Sequence, residues 1–178
     1  MRKKNKMSFI VINDNPTICA MALDDALLNR KIIEVAQTLS VVMKDNKSIP
    51  NLPDNLYTTT FASKANKDWL ASSKYKFRWG WLSLKSLCDE YRYRFEETHK
   101  CEYIYLVAMN YENYFPNIDF TPFIKDFSQK TPNYNDLMET LNPFNAYKKY
   151  LTNEWECGKN IKWTGRDKPV FEELNNGF

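Results

Sequence analysis

One histidine stands among 178 residues, accompanied by only four glycines and four cysteines. Each scarcity excludes something. With His99 alone, no G-x-S-x-G elbow and no P-loop, a conventional hydrolase triad and a Walker-type kinase are both disfavoured. Four glycines leave little material for Gly-rich phosphate loops or glycine-punctuated β-sandwiches, so the turns depend on Asn, Asp and Pro. Cys19, Cys88, Cys101 and Cys157 are widely separated and form no CxxC pair. One histidine does not complete a zinc set with them, and no metal site is expected. Cys88 falls within a helical apolar stripe, the position of a reduced thiol used as a small hydrophobe in a reducing compartment. Long apolar runs are also missing. The run Met7 to Ile12 spans six residues with Ser8 inside it, too short for a signal-peptide core or a membrane span. A cytoplasmic location with no membrane partner is the expectation.

What is present is apolar and aromatic. A hydrophobic share of 43%, with 11 Tyr, 11 Phe and 5 Trp, is far too high for a disordered chain, and the length suits one core. The expected organisation is a basic tail over residues 1–7, then a single helical domain over 8–178. A net charge of +3 permits nucleic-acid contact without requiring it, because such binding depends on clustered charge. Arg2, Lys3, Lys4 and Lys6 read first as a solvated tail and second as a nucleic-acid-binding arm.

The β-branched run Phe9-Ile10-Val11-Ile12 predicts a buried strand, stopped by Asn13-Asp14-Asn15-Pro16. From Thr17 the pattern turns helical, and Leu28, Ile32, Val35, Ala36, Leu39, Val42 and Met43 recur at three- and four-residue steps as one apolar face. Residues 44–54 hold two prolines and no periodicity and read as a surface loop. Tyr57 to Phe61 then suggests a short strand pairing with the first. The clearest element runs from a Ser72 or Ser73 cap to about Thr98 through Phe77, Trp81, Leu84, Cys88, Tyr91 and Phe95, widened by Trp79 and Leu82. Gly80 on it would let a neighbour approach closely. Further helices are expected over Tyr103 to Tyr111, Asp136 to Leu141, Asn145 to Glu154 and Val170 to Asn175, with a packed irregular segment over Asn113 to Pro132. The fold class is therefore mainly α: one domain around a long central helix, about 73–98, with a minor β-strand pair at one edge.

Four constellations could carry chemistry. Arg30, Glu34 and Gln37 lie at i, i+4 and i+7 beside the apolar face of the second helix, with Asp25 near its start; a base or phosphate could dock there, or the stripe is a solvent-facing salt bridge. The central helix ends in Glu90, Arg94, His99 and Lys100, where Glu90 and Arg94 can pair. His99 there could be a general acid or base, or only a favourable charge at a helix C-terminus. Arginines alternate with tyrosines in Tyr91-Arg92-Tyr93-Arg94, but helical spacing puts Tyr91 and Phe95 on the core stripe and splits the group. Trp163 and Arg166 sit in a predicted loop where both could reach one ligand, or where Trp163 simply packs. Glu34 and Glu90 would form a carboxylate pair if their helices crossed. No motif assigns a cofactor.

Several of these segments, in order, resemble an uncharacterised family of small proteins found in tailed phages and some bacteria. The resemblance covers Phe9 to Phe171. It rests on the strand ending in Asn13-Asp14-Asn15-Pro16, the helix with Asp25 and Glu34-Val35-Ala36-Gln37, and Leu87 to Phe95 followed by Thr98-His99-Lys100. Phe120 to Phe123, Ala146 to Tyr150, and Trp163 with Arg166, Pro169 and Phe171 complete it. Members carry further histidines after the aspartate of the second helix and before the central helix, where this chain reads Asp25-Ala26-Leu27 and Thr60 to Lys67 with none. The resemblance implies a phage setting, hence the host cytoplasm and a role around DNA, nucleotides or their modification.

Two functional readings follow. The first is a phage accessory protein that binds nucleic acid or a nucleotide, with base modification as its enzymatic extension. Arg30, Gln37, Arg94, Lys100 and Arg166 would hold the ligand, Trp163 would stack on a base, and Glu90, His99 or Glu34 would move a proton. The second is a non-catalytic interaction or structural protein that retains a degenerate enzyme-like fold. A homo-oligomer using aromatics between Tyr103 and Phe127 is compatible with either. Convergence of Arg30, Glu34, Glu90, Arg94 and His99 on one open pocket favours the first reading, and their dispersal favours the second.

Overall fold

The computed structural model describes residues 9–119 and 122–171. Pro16–Ala22 forms α1, with Pro16 in its first turn and Asn15 capping it by accepting from the Thr17 amide. Asp24 caps α2, Asp25–Asp45, through the amides of Ala26 and Leu27. Ser63 caps α3, Lys64–Ala71, an element that sequence periodicity does not announce. Ser73 caps α4, Lys74–Phe95, which ends where Glu96 turns left-handed at φ 56°. Then come α5, Glu102–Ala108, a 3-10 turn at Glu112–Tyr114, α6, Tyr134–Glu139, and α7, Pro143–Cys157.

The long helix α4 is central as expected: α1, α2, α3 and α5 all pack on it. Gly80 faces Leu70 of α3 and Leu39 of α2. A Cβ there would stand 2.5 Å from Cδ1 of Leu70 of α3, so any larger residue would force that side chain to shift. Phe9, Trp69, Trp79 and Phe123 form a cluster of tilted and edge-on rings beside this crossing, with centroids 4.8–6.4 Å apart.

Three expectations need correction. No sheet forms among the described residues. Phe9 to Ile12 forms no strand and reaches a bend at Ile12, with all four side chains buried in the core and no second described strand beside them. Thr60 explains part of the failure: its hydroxyl accepts from the Ala62 amide, a local turn that closes the 57–61 segment into the cap of α3. Val170 and Phe171 are not helical, and the rest of the helix expected there lies outside the described residues. Finally, the buried face of α4 rotates near its C-terminus. Tyr91 and Phe95 are half-buried, whereas Glu90 and Arg94 are each only 5% exposed. No described helix is long and apolar enough to cross a membrane.

Candidate functional site

The polar residues singled out by sequence pattern fall into three separate places. The first is an ionic clasp. Arg94 donates from Nε to Glu90 Oε1 at 2.8 Å, from Nη1 to Asp25 Oδ1 at 3.0 Å and the Leu23 carbonyl at 2.7 Å, and from Nη2 to the Met21 carbonyl at 3.1 Å. Arg166 grips the same Glu90 with a two-pronged contact, Nε to Oε1 at 2.9 Å and Nη2 to Oε2 at 2.8 Å, while its guanidinium lies 4.0 Å over the Tyr93 ring. Asp25 also accepts the Thr164 amide at 3.0 Å and the Thr164 hydroxyl at 2.7 Å, and Trp163 donates to the Ala22 carbonyl at 3.1 Å. Gly165 at φ 67° makes the turn that lets its carbonyl accept from the Tyr93 hydroxyl.

Two carboxylates and two guanidiniums thus balance one another. Burial pushes the Glu90 carboxyl up, but Arg166 and Arg94 outweigh it and hold the group below the usual carboxylate range. Asp25 behaves in the same way, with burial overcome by the donors of Thr164 and Arg94. The clasp ties the 161–166 segment to the α1–α2 junction and to the end of α4. Both oxygens of Glu90 and all three nitrogens of the Arg94 guanidinium are hydrogen-bonded within the protein, while Nη1 of Arg166 makes no hydrogen bond to a described residue. Trp163 packs edge-on against Trp155 with centroids 5.1 Å apart, the use of a core ring and not of an open stacking platform.

The second place is His99. Its Nδ1 accepts from the Cys101 amide at 3.1 Å and its Nε2 donates to Asn29 Oδ1 at 3.2 Å, with the Tyr91 ring edge-on at 5.0 Å. Burial, helped by the Lys100 charge, lowers its pKa and keeps it neutral at pH 7. It is a buried joint between α2 and the start of α5. Lys100 beside it is exposed.

Glu34 lies nine residues along α2 from Asp25, about 13 Å of helix, and Glu90 bonds to Arg94 and Arg166 in the clasp, so the carboxylate pair that a helix crossing could have formed is absent among the described contacts. Glu34 belongs to the third place, a buried polar row. Lys31 reaches Glu34 Oε2 at 2.6 Å, and the two residues are only 4% and 6% exposed. Thr38 donates to the Glu34 carbonyl at 2.8 Å and meets the Thr60 hydroxyl at 3.1 Å. Across from them Asp126 accepts on Oδ2 from Ser63 at 2.8 Å and from Asn66 at 2.5 Å, and its own amide donates to Tyr147. Burial raises the Asp126 carboxyl, opposed by Ser63, Asn66 and the Lys31 charge. Burial also raises the Tyr150 hydroxyl, on which Glu154, Arg30 and Glu34 act as charges. Arg30 is exposed and Gln37 half-buried at the rim.

Lys31, Thr38, Ser63, Asn66 and Asp126 are not singled out by the sequence reading. A signal exists for the α2 part, since 31, 34 and 38 step by three and four alongside the apolar face. None exists for Asp126, which sits in the irregular segment. Comparison with family models, with curated proteins and with solved structures found no match for the chain.

Proposed function

We propose that the chain binds a nucleotide, or one nucleotide of a nucleic acid, at the buried row formed by Lys31, Glu34, Thr38 and Asp126. The observation that carries this reading is the burial of a lysine and a glutamate side by side in the interior face of α2. An apolar pair of similar volume there would serve stability at least as well, so the cost of desolvating two charges points to a binding or catalytic use. Asp126, whose protonation is shifted toward neutrality by burial, adds a group able to hold or transfer a proton. Arg30 at the rim supplies a cation for phosphate. Tyr150 and Phe127, with centroids 5.7 Å apart, supply rings beside the row. A phage accessory role in nucleotide or base chemistry is the setting that the family resemblance suggests. This reading retains Arg30, Glu34 and Gln37 of the sequence-derived set and releases Glu90, Arg94, His99, Trp163 and Arg166 to structural duty.

Titration of mononucleotides and short single-stranded oligonucleotides against wild type, Glu34→Gln, Arg30→Ala and Arg166→Ala tests it. Binding should weaken roughly tenfold or more in the first two variants and be retained in folded Arg166→Ala. Absence of binding to wild type, or binding indifferent to Glu34→Gln and Arg30→Ala, overturns it.

A second reading, a non-catalytic interaction protein on an enzyme-like fold, is favoured by the dispersal of Arg30, Glu34, Glu90, Arg94 and His99 over three places instead of one pocket, and by one further observation. Beside the clasp runs a groove of about 640 Å³ lined by Ile12, Ile18, Met21 and Val170, with Ile18 45% and Val170 89% exposed.

A further inference from the structure

The groove beside the clasp, at about 640 Å³, falls within the range of roughly 300–1,000 Å³ common to small-molecule sites. Its walls are mostly apolar. Ile18 and Met21 stand three residues apart on α1 with both side chains exposed, and Pro169, Val170 and Phe171 line the groove with them. The polar groups of the lining divide by use. The Met21 and Ala22 carbonyls already accept from Arg94 and Trp163, and Asn13 Oδ1 accepts from the Asn15 amide. By contrast, Nη1 of Arg166, Nζ of Lys148 and Nδ2 of Asn13 make no hydrogen bond to a described residue, although all three residues are half-buried. What remains unused is a set of donors, two of them cationic, inside an apolar groove. The one carboxylate of the lining, Asp167, is exposed to solvent.

We propose that this groove binds a small monocarboxylate with an apolar tail, its carboxylate accepting from Lys148 and from Nη1 of Arg166 and its tail lying against Ile18, Met21 and Val170. The two-pronged contact with Glu90 fixes the Arg166 guanidinium, so Nη1 is presented without the entropy cost of ordering a free side chain. Charge sets the valence of the ligand. Within the clasp Glu90 and Asp25 offset Arg94 and Arg166, which leaves Lys148 as the cation of the lining that no buried carboxylate answers. A monoanion matches it. A dianionic phosphate would set its second charge against Glu90 and Asp167 with no further cation in the lining to meet it, and a neutral head would leave the ammonium unpaired. The proposal is independent of nucleotide binding at the polar row, which shares no residue with this groove.

The test is calorimetric titration of the full chain with decanoate, decanol, decylammonium and decyl phosphate at about pH 8, where the phosphate is doubly charged. Decanoate should bind saturably and roughly tenfold or more tighter than each of the other three. Lys148→Gln should weaken decanoate about tenfold and leave decanol unchanged. Ile18→Glu, which puts a carboxylate at an exposed apolar position, should weaken both, with thermal melts showing that the variants fold. Should Lys148→Gln fail to fold, Ile18→Glu carries the test. Absence of saturable decanoate binding, equal binding of decanol or decyl phosphate, or decanoate binding unmoved in the folded variants overturns the proposal. Sedimentation showing a wild-type dimer that Ile18→Glu dissociates overturns it as well, since a second copy would then cover the groove.

Discussion

The clasp and the polar row both bury charge against α2, yet they are built on opposite plans. In the clasp, Glu90 and Asp25 face Arg94 and Arg166, with a two-pronged contact from Arg166 and the Leu23 and Met21 carbonyls accepting from Arg94. Its carboxyls are held below their ordinary range. In the row, Lys31 and Glu34 pair with each other, and Asp126 is raised by burial with one oxygen open. The difference shows how to separate structural from functional polarity inside a small helical protein. Residue type does not do it, since both regions use the same acids and bases. On the nucleotide-binding proposal, completeness of partnering does: a network whose donors and acceptors close on one another holds chain segments together, and an oriented acceptor left open serves a ligand.

The sharpest way to break the comparison is to open the clasp. Glu90→Ala leaves Arg166 without its carboxylate and Arg94 with Asp25 alone, and should cost about 3–5 kcal/mol in urea unfolding. Arg166→Ala, with a partly exposed side chain, should cost about 1–3 kcal/mol and expose the 161–171 segment to proteolysis and faster amide exchange. The two regions should also respond oppositely to acid. Glu90 and Asp25 have lowered folded pKa values, so their contribution is complete above the unfolded carboxylate range of about 4 and is lost as pH falls through their folded values. Asp126 is raised, so its unfavourable contribution is relieved as pH falls through its folded value. The pH–stability curve of Asp126→Asn should therefore lose that relief and keep the acid collapse due to the clasp. At pH 7 the same variant should leave the melting midpoint unchanged or move it up by the equivalent of about 1 kcal/mol, a direction no clasp variant shares. The smallest effect is expected at His99. Its lowered pKa predicts a modest loss of stability from pH 7 to pH 5, and a flatter profile in His99→Asn.

Much of the helical frame is legible in the amino-acid sequence. The three-and-four spacing of Leu28 through Met43 and of Phe77 through Cys88 marks α2 and α4, and Ser73 marks the start of α4. Gly80 is legible as a close contact. The strand pair is not, because a β-branched run signals burial as strongly as it signals pairing, and Phe9 to Ile12 is buried in the core. The polar residues are the harder part. Glu90 and Arg94 can be seen as an i, i+4 pair, but Asp25 meets Arg94 across 69 residues of chain and Thr164 meets Asp25 across 139. No local pattern shows whether such a pair meets solvent or another guanidinium. Arg30, Glu34 and Gln37 share one stripe by spacing, whereas the folded chain buries Glu34 and leaves Arg30 exposed.

Periodicity and capping act between neighbours within a turn or two, and so the order of residues is enough to specify a mainly α-helical chain, the apolar faces of its two longest helices and the side chains able to titrate or stack. Which of those side chains are spent on one another is settled only when the helices pack. That choice depends on long-range contacts: Arg166 arriving at Glu90, Trp163 at Ala22, and Ser63 with Asn66 at Asp126. Such contacts determine whether a charged group has its hydrogen bonds completed inside the protein or keeps one for a ligand.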